Sequence, residues 1–362
     1  MRNRTRSSLI SNIEKLLFSF VLSSALVFPV SAIQVEDLYV AEVLVADEGR
    51  QQLRAGARAG LLQVLVRVSG DIAVQENTLI RNSLRRPSDF YDQYSYESTD
   101  RTLLVAETEQ SAKILRLHFE PSAVARLLRQ ANLPVWGSNR PGVMFWIAIS
   151  DGNQRRILSE ADESEIVVSL VEQAKRRGLP VLFPILDLED ASRITSAEVW
   201  GAFLDRIERA SDRYEPDALM TARIQQDVGR WSGKWSYRVA GSWQSVESEA
   251  VSSGELVRQM VDQLANEIAG RYALGSGKGT LDVTVEGVVS LKDYAALSEY
   301  LEQLTPVLNS SIVALQDGVA RFELKIEGQS AQLVELIGLD QRLILLNEDS
   351  RNHRLLYRWK QI

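Results

Sequence analysis

Residues 35–71 read VEDLYVAEVLVADEGRQQLRAGARAGLLQVLVRVSGD, and this stretch decides the fold of the amino-terminal part of the chain. Residues 38–45 are apolar on both faces, interrupted only by Glu42, which predicts a central strand covered on both sides. Asp47 is placed to cap the following helix, and Glu48 falls in its positively polarised first turn. The stretch therefore predicts one strand leading into one long helix.

The predicted helix carries a buried stripe and a set of small residues. Apolar side chains recur at helical spacing at Leu53, Ala57, Leu61, Val64 and Val68. Close packing onto the sheet is the favoured role of four small residues, Ala55, Gly56, Ala59 and Gly60. A phosphate-binding loop is the weaker alternative, because it would need the glycines before the helix rather than inside it. Gly70 fits the left-handed position that ends a helix.

The first 32 residues have the pattern of a secretory signal peptide. Their first region is basic, with Arg2, Arg4, Arg6 and Lys15. Residues 16–30 form an apolar run that is short for a membrane span, and Ala32 ends the small-residue cleavage site Val-Ser-Ala. We expect cleavage after Ala32, with an uncleaved anchor as the alternative. The predicted location is therefore the periplasm, as a soluble protein.

The chain has 362 residues, of which 45% are hydrophobic and 25% charged, and no cysteine. The missing cysteine excludes disulfides, thiolate metal sites and a lipoprotein anchor. The net charge is −7, and residues 1–32 hold four basic groups and one acidic group, so the remainder carries −10. This charge disfavours nucleic acid and anionic lipid as partners. We interpret two small basic clusters as solvated faces, namely Arg81, Arg85, Arg86 and Lys175, Arg176, Arg177.

Residues 33–132 predict a small α+β domain. A helix is expected over 76–84, a strand over 89–97, a loop over 98–111 and a helix over 121–131. Between them, 113–119 alternates with Leu115, Leu117 and Phe119 inward. Local strand pairing over 103–106 is the alternative within the loop. Residues 133–142 are turn-rich and read as the connection to the next domain.

The motifs LYVAEVLVAD, LVRVSGD, RLLRQANLPVWG and NRPGVMFWIAI occur in this order along the chain. As a set they resemble an envelope family of gram-negative bacteria known as domain of unknown function 2066. The resemblance implies export and a multidomain architecture. It implies no catalytic residues.

Residues 143–274 predict a middle α/β domain with a mixed sheet. Strands are expected over 143–149, 179–186, 218–225 and 235–240, and helices over 163–177, 196–213 and 254–272. This order, with PDALMTARIQQD and a Trp-Gly hairpin, resembles the α/β domain of several periplasmic proteins. They are the Tol-system propeller protein, the curli-secretion lipoprotein and the flagellar assembly proteins, whose modules mostly bind other envelope proteins.

Two groups of side chains in this domain are candidate ligand or partner positions. Asp187, Glu189 and Asp190 follow a predicted strand, at the sheet edge where ligands bind in open parallel sheets. A Ca²⁺ site, a general-acid pair or a solvated loop are the alternatives, and the loop is favoured. Aromatic residues crowd the later hairpin, and they form either core or an exposed stacking platform: Trp231, Trp235, Tyr237 and Trp243.

Residues 275–279 read as a flexible linker, and residues 280–362 predict a ferredoxin-like domain. The expected order is β-α-β-β-α-β, with Asp317-Gly318 as the hairpin turn and a further strand over 354–360. Phe322, Leu324 and Ile326 are expected to face inward, opposite three charged neighbours.

The sequence contains no familiar catalytic motif and only two histidines, His118 and His353. We predict no cofactor and no metal ion. The favoured function is a non-catalytic periplasmic adaptor or assembly factor that binds other envelope proteins. The alternative is a carboxylate-dependent hydrolase of a cell-wall polymer, which would need two acids meeting in a cleft.

Overall fold

The computed structural model describes residues 35, 37–105, 108–150, 154–273, 278–340, 342–349 and 352–360. The predicted signal peptide and most of the predicted linker lie outside these residues. Helices and strands alternate throughout the described residues and build three sheets, which confirms the predicted mixture of α+β and α/β architecture. No described helix has the length and apolar character that a membrane crossing requires.

The amino-terminal sheet has the antiparallel order β1-β3-β2, with β1 (Val40–Val45), β2 (Tyr91–Val105) and β3 (Thr108–Phe119). Helix α1 (Arg50–Ser69) packs on it, beside α2 (Thr78–Ser83) and α3 (Pro121–Gln130). The loop predicted over 98–111 is wrong, because β2 and β3 continue there as one long hairpin; the alternative of local pairing is confirmed over 103–105. Its polar side chains are exposed, so backbone pairing alone defines the strands and no hydrophobic alternation marks them.

Strand β1 is an edge strand, which corrects the central position that we predicted. Ala41 and Val45 are buried towards α1, as expected. On the other face of β1, Val40 and Glu42 border the middle domain, where Lys175 donates a 3.0 Å hydrogen bond to Glu42. Asp47 does not cap α1 either. The helix starts only at Arg50, and the Asp47 carboxylate accepts from the Gly49 amide instead.

Close packing of α1 onto the sheet is confirmed at two of the four small residues. A Cβ on Gly56 would lie 2.6 Å from a methyl of Leu115, and one on Gly60 would lie 3.1 Å from Cβ of Ala41. Ala55 and Ala59 are exposed and take no part. Gly70 ends the helix with φ of 71°, as predicted.

The middle sheet has the order β5-β4-β7-β8-β9, with the short β6 also paired to β4. Its strands are β4 (Val143–Ser150), β5 (Arg155–Ile157), β6 (Val181–Leu182), β7 (Ala218–Asp227), β8 (Arg230–Val239) and β9 (Ser242–Ala250). Helices α4 (Glu165–Arg177) and α8 (Ser253–Tyr272) supply the core on one face. On the other face lie α6 (Ser196–Trp200) and α7 (Leu204–Ser211). Strand β4 is therefore buried on both faces, as its apolar run predicted.

Three predictions for the middle domain are wrong in detail. The strand expected over 179–186 shrinks to two residues, because Pro184 offers no amide for a ladder and the chain turns into α5 (Leu188–Arg193). The single helix over 196–213 is broken at Ala202, which has φ of 51°. Strand β9 was not predicted, since its exposed residues are mostly polar.

The carboxy-terminal sheet has the order β11-β12-β10-β14-β13. Its elements are β10 (Lys278–Glu286), α9 (Leu291–Gln303), β11 (Val307–Gln316), β12 (Val319–Glu327), α10 (Ser330–Asp340), β13 (Leu343–Asp349) and β14 (Arg354–Trp359). Antiparallel β12 separates the parallel strands β10 and β11, which is the predicted split β-α-β arrangement. The fifth strand, β14, pairs in parallel with β10 and displaces β13 to the edge.

Candidate functional site

The acidic residues that the sequence singled out lie at the start of α5. Asp187 caps this helix by accepting from the Asp190 amide at 3.0 Å. The Asp190 side chain is buried and accepts from the Leu186 amide at 2.8 Å and from the Tyr214 hydroxyl at 2.6 Å. Both carboxylates therefore hold the turn that enters α5.

A single guanidinium meets all three carboxylates. Arg213 donates to both oxygens of Asp187, at 2.7 and 3.0 Å, and lies 3.2 Å from Asp190 and 3.6 Å from Glu189. The hydrogen bond from Arg213 lowers the pKa of Asp187 to about 2. A general acid needs a raised pKa, and a Ca²⁺ ion would have to displace this arginine. The geometry therefore favours the loop interpretation, with an ion-paired turn in place of a solvated one.

The candidate aromatic platform divides between the two faces of the middle sheet. Trp231, Trp235 and Tyr237 point to the face covered by α8, and Trp235 and Tyr237 are buried there. Trp243 lies across from Arg238 on the opposite face, where its indole N–H donates to Glu208 at 2.6 Å. Trp231 and Trp243 therefore cannot stack on one ligand, and the core interpretation fits Trp235 and Tyr237.

The two histidines lie in different domains, His118 in β3 and His353 just before β14. Across the part of the chain that the structure describes, no three histidine or acidic side chains come together in a way that could hold a metal ion.

A cavity of about 310 Å³ lies where the amino-terminal and middle domains meet, with Asp37, Arg67, Lys175 and Phe183 in its lining. Lys175 joins the two domains through its hydrogen bond to Glu42, whereas Arg67 bonds within the amino-terminal domain. Arg67 donates to the carbonyls of Asp37 and Val40, both at 2.8 Å. Burial lowers the pKa of Arg67 from its ordinary value. The cavity presents no pair of free acids for hydrolysis.

Two further buried arginines complete this joint. The sequence did not single out Arg140, and the predicted solvated face is wrong for Arg177, which is buried. Arg140 is fully buried and donates to five backbone carbonyls, among them Arg67, Arg177 and Gly178 at the ends of α1 and α4. Arg177 donates to the Gly70 carbonyl and forms a 2.6 Å ion pair with Asp262. The one sequence feature that could have indicated a structural role for Arg140 is its positive charge within the turn-rich connection.

The carboxy-terminal sheet exposes apolar side chains along its outer strands. Strand β11 pairs only with β12, and its sequence VLNSSIVALQ contains no charged residue. Between 42% and 60% of the surface is exposed in four of its residues, Leu308, Ile312, Val313 and Leu315. At the opposite edge, β13 exposes Ile344, Leu345 and Leu346 but ends in acidic residues.

Comparison with known proteins gives one family match. Residues 32–137 match a family described as a domain of unknown function (DUF8605), which is less than half of the chain. This family differs from the one that we expected from the quoted motifs, so that resemblance stays a prediction. No curated protein matches the sequence.

Two solved structures show weak likeness. One, described as an uncharacterized protein, has 12% identity and a TM-score of 0.18, over 36% of this chain and 90% of its own. The other is selenomethionine-substituted allophanate hydrolase from Kluyveromyces lactis, with 7% identity and a TM-score of 0.18, over 76% of this chain and 67% of its own. Neither likeness is strong enough to carry an argument.

Proposed function

We propose that this chain is a non-catalytic adaptor of the gram-negative periplasm that binds an extended segment of another envelope protein along β11. The observation that supports this proposal best is the unprotected edge of β11. A long edge strand offers unpaired amides and carbonyls to a further strand, and native proteins normally protect such edges with charges, proline or a covering element. Strand β11 has ten residues, several of them apolar and exposed, and neither charge nor proline.

The opposite edge suits a partner less well. Strand β13 has seven residues, and Glu348 and Asp349 place two acidic side chains at its end. Charges of this kind are a common protection against strand addition. The two edges of one sheet therefore provide a test strand and a matched control.

The periplasmic part of the proposal is supported by the signal-peptide pattern in residues 1–32 and by the resemblances to envelope families. The non-catalytic part is supported by the acidic turn, where Arg213 occupies the carboxylates that a hydrolase would need.

Capture of partners from envelope fractions tests the adaptor function. We would compare tagged wild-type protein with a Val313→Lys, Leu315→Lys variant of β11 and an Ile344→Lys, Leu345→Lys variant of β13. All four side chains are exposed, so each variant should keep the fold. We expect the β11 variant alone to lose a specific partner, identified by mass spectrometry.

Retention of every partner by the β11 variant would contradict the proposal. The hydrolase alternative is tested beside it, with release of soluble fragments from purified cell-wall polymer as the readout. A hydrolytic activity that disappears in Asp187→Asn while the fold survives would replace the adaptor function with the hydrolase.

A further inference from the structure

A groove of about 640 Å³ runs along the solvent face of α1 in the amino-terminal domain. Arg50, Arg54 and Arg58 line it at intervals of four residues, so they form one row on the helix. Arg85, beyond the end of α2, lines the other side, and Ala55 supplies exposed apolar surface between them, above the buried Leu84. The groove is distant in sequence from β11 and does not depend on the proposed function.

The positive charge of this groove is not balanced by the protein. Within the residues that the structure describes, none of these four arginines forms an ion pair, whereas Arg116, Arg129, Arg177 and Arg213 all do. The hydrogen bond from Arg54 goes to the backbone carbonyl of Arg85, at 3.1 Å, and leaves its charge uncompensated. The cluster is notable because the whole chain carries −7.

The arrangement is also unfavourable for the helix that carries it. Like charges four residues apart on a helix repel one another. Arg50 is the first residue of α1, where the helix dipole favours an acidic group, and all twenty residues of α1 lack an acidic side chain. A bound anion would relieve both the repulsion between the arginines and the unfavourable interaction with the helix dipole. Neither feature helps the chain to fold on its own, so a ligand is the better explanation for them.

We infer that this groove binds an acidic segment of a partner protein, with carboxylates spaced to meet Arg50, Arg54 and Arg58 and an apolar side chain against Ala55. Residues four apart on a helix are separated by roughly 6 Å along its axis, so a helical segment with acids every fourth residue matches the row. Each guanidinium can bind a carboxylate through two parallel hydrogen bonds.

The shape of the site favours this ligand over other anions. A single phosphate is held by donors that converge on one point, whereas these guanidinium groups are spread along an open groove. A lipid surface would meet a protruding face more readily than a concave one. The acidic remainder of the chain would repel the long backbone of a nucleic acid.

Fluorescence anisotropy with a labelled peptide tests the inference. The probe is a helical peptide with glutamate at every fourth residue and leucine beside each glutamate, compared with a peptide that has glutamine in place of glutamate. The purified protein should bind the glutamate peptide and not its glutamine counterpart. The triple variant Arg50→Gln, Arg54→Gln, Arg58→Gln should bind it at least about tenfold more weakly.

A control with the same change in net charge separates the groove from a general electrostatic effect. Arg230→Gln, Arg321→Gln, Arg354→Gln removes three exposed arginines from other elements, so its affinity should stay close to wild type. Equal loss in both triple variants, or no binding to wild type, would overturn the inference. Preference for phosphatidylglycerol vesicles or single-stranded DNA over the peptide would also overturn it. Thermal unfolding followed by circular dichroism would verify that each variant is folded.

Discussion

At the scale of single residues, Arg140 shows how this protein uses charge in its interior. All five N–H groups of its guanidinium donate to backbone carbonyls, and the group lies 3.9 Å from the centre of the Trp136 ring. Burial lowers its pKa to about 9, so it remains protonated at neutral pH. Lysine has three donors on a flexible stem and could not satisfy five fixed acceptors.

Replacing this arginine should destabilise the whole protein. Arg140→Met removes the donors and leaves several buried carbonyls unpaired, each at a cost of about 1–3 kcal/mol. We expect the free energy of unfolding to fall by about 3 kcal/mol or more, measured by urea denaturation. Arg321→Met, on an exposed face of β12, is the control and should change it by less than about 0.5 kcal/mol. Equal effects would show that the joint contributes little.

The ion pair between Arg213 and Asp187 gives a prediction about pH. The folded pKa of Asp187 is lowered from 3.8 to about 2, so the carboxylate stabilises the fold above pH 3.8 and this contribution is lost as the pH falls towards 2. In Arg213→Gln that part of the pH dependence should be smaller, because only the backbone hydrogen bonds at the helix start still lower the pKa of Asp187. Denaturation at a series of pH values between 4 and 2 would measure it, with Arg209→Gln as the control. An unchanged pH profile in Arg213→Gln would contradict the assignment.

At the scale of elements, the contact between α1 and its sheet depends on glycine at position 56, which has no side chain. Gly56→Leu would force the new side chain against Leu115 and Val45. Such overpacking should lower the free energy of unfolding by about 1–3 kcal/mol. Ala59→Leu on the exposed side of the same helix should be nearly neutral. Leucine is a better helix former than glycine, so a loss of stability confined to Gly56→Leu would identify packing as the cause. Equal unfolding midpoints for the two variants would contradict it.

The elements that the sequence predicted well are those with a strong burial pattern. The alternation of Leu115, Leu117 and Phe119 and the apolar run of β4 both give the buried strands that were expected. The outer part of the β2-β3 hairpin and most of β9 expose polar side chains and are held mainly by backbone pairing. Nothing in their side chains distinguishes such strands from loops, so pattern reasoning missed them.

The candidate sites show the same limit. The acidic turn was found from its place after a strand, but its partner Arg213 lies more than twenty residues further along the chain. The four-residue spacing of Arg50, Arg54 and Arg58 is visible in the sequence, whereas the opposite wall at Arg85 requires the fold. Sequence spacing predicts which residues lie on one face of one element. It does not predict which second element packs beside that face.

At the scale of the whole molecule, the three sheets form one compact unit. Leu336 and Leu339 of α10 pack into the core of the middle domain, and Arg129 of α3 forms a 2.5 Å ion pair with Glu327 of β12. The Glu327 side chain is only 4% exposed, so its charge is compensated by a residue of another domain. Core packing and charge therefore couple the carboxy-terminal domain to the other two.

Removing this compensation should weaken the attachment of the carboxy-terminal domain. Arg129→Met leaves a buried carboxylate without its partner, and we expect a loss of about 2–3 kcal/mol. The value lies below the range for fully buried pairs because Arg129 is 36% exposed. Calorimetry should show a lower or divided unfolding transition, whereas Arg126→Met, exposed on the same helix, should behave as wild type. An unaltered transition in Arg129→Met would refute the coupling.

The buried joint between the first two domains has a consequence for building chimeras. Arg140 recognises main-chain oxygens where α1 and α4 end, and main-chain oxygens are the same whatever side chains those helices carry. The contacts of Arg140 therefore depend on where a helix stops, whereas Arg177 and Gly178 add requirements on the sequence of its end. A foreign α/β module should graft onto the amino-terminal domain if its first helix terminates at the same point and keeps these two residues and a partner for Arg177, even with an otherwise unrelated sequence. Lengthening α4 by one turn should prevent docking, although every residue of the joint is kept.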